Sequence, residues 1–231
     1  METGTDEMTV RIRRARREDA EFLAWVTLSA SRSHLARGVW DVIIGADEAG
    51  CLDYLRRLAV AEPRSLYHYE SFLIAELDGR PGAALSGFEM RADRWNAVVA
   101  AMENVQRDLG WTETDRAASK KRSAPLWTCF LADSGADWGI ENVATRPECQ
   151  KRGLARALLD ATVEEAAGRG FKLVQISAYI GNTAAQSVYE KGGFRVAEEK
   201  RCPELMGLLG TPGFVRLLKF LNSDASASSQ V

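Results

Sequence analysis

The feature that most limits the fold is a repeated change of period between residues 137 and 199. DWGIENVAT (137–145) reads as a strand and gives way, after QKRGLA (150–155), to a helix over residues 154–168. There Ala155, Leu158, Leu159, Thr162 and Ala166 fall on one face at steps of three and four. Gly168 and Gly170 end it, KLVQISA (172–178) is the next strand, and Thr183 to Lys191 form a short helix capped by Asn182 and stopped at Gly192-Gly193. FRVAEE (194–199) follows as a further strand. Strand, helix, strand, helix, strand implies crossover connections and an α/β (α+β) sheet with helices on both faces.

The first half supplies strands of another kind. TVRIRRA (9–15) alternates Val10 and Ile12 with basic residues, a helix opens at Glu18-Asp19, and a second covers Ala46 to Ala61. ESFLIAELDGRPGAALSGFEM (70–90) is a hairpin turning at Asp78-Gly79. Residues 91–125 read as a polar helix followed by a charged, breaker-rich stretch, an insertion or lid, and LWTCFLA (126–132) as a strand. The expected domain is residues 9–221, between a flexible 1–8 and a disordered tail, 222–231.

Composition narrows the function classes. With 30 basic and 32 acidic residues and a net charge of -2, no nucleic-acid partner is expected, so any phosphate site must be local. METGTDEMTVRIRR lacks the apolar stretch of a secretory leader, and no window is apolar enough to span a bilayer; a cytoplasmic, membrane-free protein is expected. Cys51, Cys129, Cys149 and Cys202 contain no C-x-x-C pair, and His34 and His68 do not join them at zinc-ligand spacing, so no metal is expected. Cys149, beside the basic loop, reads as an incidental reduced thiol.

QKRGLA is the segment with chemistry in it. The first N–H groups of a helix lack intrahelical acceptors and carry partial positive charge, so a strand-loop-helix junction seats anions. Gly153 lets backbone approach a ligand, Lys151 and Arg152 add charge, and Ala155 keeps the first turn slim. No Gly-Lys-Ser/Thr or G-x-G-x-x-G is present, which disfavours a nucleotide fold of those types.

The run from Ile140 through Gln150-Lys151-Arg152-Gly153-Leu154-Ala155, then Asn182 with Tyr189 seven residues on and Gly193-Phe194 closing the block, resembles the GNAT superfamily of acyl-CoA-dependent N-acetyltransferases. The Gln/Arg-x-x-Gly-x-Gly/Ala loop is matched with Ala155 in its last slot. The resemblance implies one mixed sheet of about six to seven strands, splayed around acetyl-CoA as co-substrate. It assigns Val143, Ala144 and Thr145 to the pantetheine, and Gln150, Lys151, Arg152, Gly153, Leu154 and Ala155 to the phosphates. Asn182 and Gln186 would touch the cofactor arm, although Asn182 reads equally as a helix cap.

Glu141 is implied as the base and Tyr189 as the acid, against the alternatives of a surface carboxylate and a core tyrosine. The acceptor, a small-molecule or peptide amine, would meet His34, Arg37, Trp40 and Asp41. A monomer or homodimer fits. The rival reading is a non-catalytic module that binds or senses acyl-CoA.

Overall fold

A computed structural model describes residues 9–221; the expectations for 1–8 and 222–231 lie outside the described residues. Seven strands form one mixed sheet in the order β1-β2-β3-β4-β5-β7-β6. The strands are β1 (Val10–Arg14), β2 (Phe72–Leu77), β3 (Arg80–Glu89), β4 (Trp138–Thr145), β5 (Leu173–Tyr179), β6 (Arg195–Arg201) and β7 (Gly213–Phe220). Only β4 and β5 pair in parallel. The β2–β3 turn falls at Asp78-Gly79, both at positive φ (51° and 78°), the backbone that a two-residue hairpin turn of this hand requires.

Two helices, α6 (Leu154–Gly168) and α7 (Thr183–Lys191), cover one face, where Leu154, Leu158 and Leu159 pack on Leu85, Trp138 and Ile140. The other face carries α1 (Ala20–Arg32), α2 (Val39–Ile44), α3 (Glu48–Leu58), α4 (Arg94–Asp108), α5 (Glu113–Cys129) and α8 (Pro203–Leu209). There Leu28, Trp40, Tyr54, Leu126 and Leu205 share a core with Tyr179 and Phe214 from the sheet.

LWTCFLA is not a strand. Residues 113–129 are one helix through Pro125, and only the 130–132 segment leaves it, irregular. The helix starts at a reciprocal cap, in which Thr112 Oγ1 accepts from Asp115 N–H (3.2 Å) and Asp115 Oδ2 accepts from Thr112 N–H (2.8 Å). The polar face of α5 has a partner. Ser119 Oγ donates to Ile43 O (2.6 Å), and Arg122 donates to the carbonyls of Val42, Ile43 and Ile44 (3.2, 3.3 and 2.9 Å), so a cation closes the C-terminus of α2.

Four elements were not read as such in the sequence: α2, α5, whose first part reads there as a breaker-rich stretch, α8 and β7. A disulfide joins Cys129, at the end of α5, to Cys202, just before α8, across 73 residues; nothing in the cysteine spacing pointed to it. The one group among the described residues that could hold a metal is Cys129, Cys202 and Glu204, and its two sulfurs are bonded to each other.

Candidate active site

β4 and β5 are paired only at Trp138 with Val174, Gly139 with Gln175 and Ile140 with Ile176. Beyond Ile140, β4 continues along β3 to Thr145 and β5 continues along β7 to Tyr179, so the two strands part. A bulge marks the place. Asn142 sits at φ 56° and the β3–β4 register shifts between Ala84 and Ser86. Ser86, fully buried, fixes it by donating to Glu141 O (3.2 Å) while accepting from Asn142 Nδ2 (3.0 Å).

A cavity of about 680 Å³ occupies the gap and runs through the sheet, lined by Glu141 to Thr145 on one side and Ser177 to Tyr179 on the other. Glu141 is exposed to this cavity but has protein packed around it; the resulting desolvation raises its pKa to about 7, with Arg94 pulling the other way. Tyr189, on α7, lines the same cavity and is otherwise buried. Burial, with a lesser contribution from Glu141, holds its phenol well above the usual range, so it is protonated at neutral pH.

At the far side lies the basic loop. Lys151 (φ 60°) and Gly153 (φ 78°) both take the left-handed conformation, and Gly153 is the residue before α6. The first bond that α6 makes across this junction runs from Ala157 N–H to Gly153 O (3.0 Å), leaving the amides of Leu154, Ala155 and Arg156 with no acceptor inside the helix. The first turn of α6 holds no acid to compete for them. A Cβ built on Gly153 would meet nothing within 4 Å, so that face is open. Gln150 lines the cavity, Lys151 and Arg152 are exposed, and Leu154 is buried as the anchor of α6, with Ala155 half-buried.

Asn182 lines the cavity and also caps α7. Its Oδ1 accepts from Ala185 N–H (3.1 Å) and its Nδ2 donates to Ser33 Oγ (2.6 Å) at the end of α1. Gln186 donates to Glu190 one turn on (2.9 Å) and is not among the cavity's lining residues.

On the acceptor side the four expected residues divide. His34 and Trp40 line the cavity, Trp40 from within the core, edge-on to Tyr67 at 5.0 Å between ring centres. Arg37 is exposed away from it, and Asp41 is turned into the fold, where its carboxylate binds Arg32 (2.8 Å) and the Gly38 N–H (2.8 Å) that opens α2. Other lining residues went unnamed in the sequence: Phe88, Met90, Arg94, Phe130, Phe214 and Arg216. Two signals were available for some of them. A Cβ on Gly139 would lie 2.7 Å from the Phe88 ring and 2.8 Å from Met90 Sδ, so this glycine lets both side chains cross β4. Arg216 interrupts the apolar run GFVRLLKF, and a lone cation in a buried strand needs a reason.

A sheet parted between parallel strands, with a glycine loop opening the helix that follows, is the geometry that the resemblance to the GNAT superfamily implied. A profile of the Acetyltransferase (GNAT) family matches residues 48–194, well over half of the chain, and the chain belongs to that family. The [ribosomal protein bS18]-alanine N-acetyltransferase of Escherichia coli (strain K12) is 37% identical over 107 residues, 46% of this chain and 68% of that protein. Among solved structures, an acetyltransferase aligns with TM-score 0.65 at 18% identity over 92% of this chain and 100% of its own. An N-acetyltransferase from Staphylococcus aureus Mu50 gives the same score and identity over 90% and 100%. The chain is an acetyl-CoA-dependent N-acetyltransferase.

Proposed function

We propose that acetyl-CoA lies in the gap between β4 and β5, with its acyl arm along Val143 to Thr145 and its pyrophosphate on the amides of residues 151–155, and that a primary amine attacks it directly in a ternary complex. The observation that carries this reading is the parting of the strands after Ile140 and Ile176, with Glu141 and Tyr189 both lining the space that opens there.

Glu141, ionised in about half of molecules at neutral pH with its pKa near 7, takes a proton from the amine, directly or through one water. The amine nitrogen bonds to the thioester carbon, the oxyanion forms and collapses, and the carbon–sulfur bond breaks. Tyr189, kept protonated by burial, donates its proton to the leaving thiolate. The acceptor class includes small amines and peptide N-termini, the latter suggested by the activity named for the Escherichia coli relative. No described helix is long and apolar enough to cross a membrane, and a cytoplasmic location is part of the proposal.

Calorimetric titration of acetyl-CoA into the wild type and into Gly153→Glu tests the cofactor seat. Micromolar binding by the wild type, lost in a variant that keeps its circular dichroism, is expected. The open space around Gly153 makes an internal clash a poor explanation for such a loss, although the positive φ adds strain of about 1–2 kcal/mol. A wild type that ignores acetyl-CoA would defeat the proposal.

A further inference from the structure

On the face bearing α1 to α5, the cavity floor crosses three strands and carries a polar row: Glu141 on β4, Gln175 and Ser177 on β5, and Arg216 on β7. Gln175 stands beside Gly139 in the β4–β5 register, and Ser177 is the direct partner of Arg216 in β5–β7. Gln175 is already engaged, its Oε1 accepting from Ser134 Oγ at 2.5 Å. Arg216 is different.

Its side chain is 5% exposed. Nη1 donates to Glu198 Oε2 (2.9 Å), and Nη2 donates to Ala132 O, which pins the 130–132 segment over the cavity. Nε is buried and has no acceptor among the described residues. A buried guanidinium N–H without an acceptor calls for an anion or a carbonyl, and Arg216 lines the cavity. The same cavity is lined by Phe88, Phe130 and Phe214, apolar surfaces with no polar group to offer an ammonium, the last two rings 5.5 Å apart.

We infer that the acceptor is a free amino acid with an apolar or aromatic side chain: its amine faces Glu141, its carboxylate accepts from the Arg216 guanidinium, and its side chain lies against Phe88, Phe130 and Phe214. This rests on the acetyl-transfer reading above and narrows its acceptor. β4 and β7 are two places apart in the sheet, and both long side chains reach the cavity that opens where β4 and β5 part; a zwitterion bridges such a pair. A peptide N-terminus carries no carboxylate at that distance from its amine, only an amide, and a polyamine would bring a second cation to a buried arginine.

The test is acetyl-CoA-dependent thiol release by the wild-type chain. Each common amino acid is offered beside its carboxamide, its decarboxylated amine and a dipeptide that starts with it, and the N-acetyl product is weighed by mass spectrometry. An apolar or aromatic amino acid should exceed its own amide and amine in kcat/KM by at least tenfold and up to about a hundredfold, the span of one charge-assisted hydrogen bond, mostly through KM. Arg216→Gln should bring that ratio close to one. Since Arg216 is buried, acetyl-CoA affinity reports whether the variant still folds, and the wild-type ratio is decisive without it. Amides, amines or dipeptides that match or outrun the free amino acids would overturn the inference while leaving acetyl transfer intact. No thiol release with any acceptor, despite tight acetyl-CoA binding, would remove the catalytic reading and this inference with it.

Discussion

Replacing Glu141 with Gln tests the chemistry most directly, because the structure gives both the group and its working range. Desolvation at the cavity raises the carboxyl pKa to about 7, against an opposing pull from Arg94. A base with that pKa is about a tenth ionised at pH 6 and about nine-tenths at pH 8. An alkylamine acceptor titrates independently, its neutral fraction rising about tenfold per pH unit in this range. For the wild type, log kcat/KM should therefore climb with a slope of about two below pH 7 and about one above it. In Glu141→Gln the slope should stay near one throughout, and the rate at pH 8 should fall by about a hundredfold to ten-thousandfold. Removing the opposing cation with Arg94→Met should move the wild-type bend to higher pH. The assay is thiol release under subsaturating amine, from pH 5.5 to 9. A bend at pH 7 that survives in Glu141→Gln would refute the assignment, since some other group would then own it.

The same pKa shift also predicts a stability effect. The folded state holds the Glu141 proton at a pH where the unfolded chain, with a carboxyl near 4.5, has lost it, so this carboxylate weakens the fold as pH rises from 4.5 through 7. Glu141→Gln should raise Tm at pH 8 and leave it unchanged at pH 4.5, measured by scanning calorimetry. Tyr189→Phe should lower kcat by about tenfold or more while leaving acetyl-CoA affinity unchanged in a calorimetric titration; equal turnover would make Tyr189 a packing residue only. The Cys129–Cys202 bond closes a loop of 73 residues, for which chain entropy gives a stabilisation of up to about 4 kcal/mol. Reductant, or serine at both positions, should lower the urea midpoint accordingly, and an unchanged midpoint would show that the bond does not form in solution.

How far these features could be read from the sequence depended on whether a local signal existed. The QKRGLA loop, the periodicity of α6 and the Asn182 cap are written in contiguous residues, and the structure puts the corresponding elements where that pattern places them. LWTCFLA misled because a short run with six apolar residues in seven satisfies a buried strand as well as a helix. The discriminating signal lay upstream, in the Thr112–Asp115 capping box that opens α5. Asp41 looked available for substrate, yet its pairing with Arg32 and Gly38 depends on how α1 meets α2, a tertiary fact. The cavity's far wall was invisible for the same reason. Phe88, Arg94, Phe130 and Arg216 come from four separate segments, and only the order of the strands brings them together.

That order carries a lesson about assembly. β7 lies between β5 and β6, bonded to both, with partners running from Leu173–Phe220 to Tyr179–Phe214 on one side and from Arg195–Leu218 to Arg201–Gly213 on the other. It is also the last of the seven in the chain. As the polypeptide leaves the ribosome, β5 and β6 therefore wait with bare backbone edges that cannot join each other, a surface prone to pairing with other chains. The arginine proposed to recognise the acceptor arrives on the same strand that closes the sheet. Acceptor selection and completion of the fold are thus one event, and a chain that stalls before residue 213 has neither.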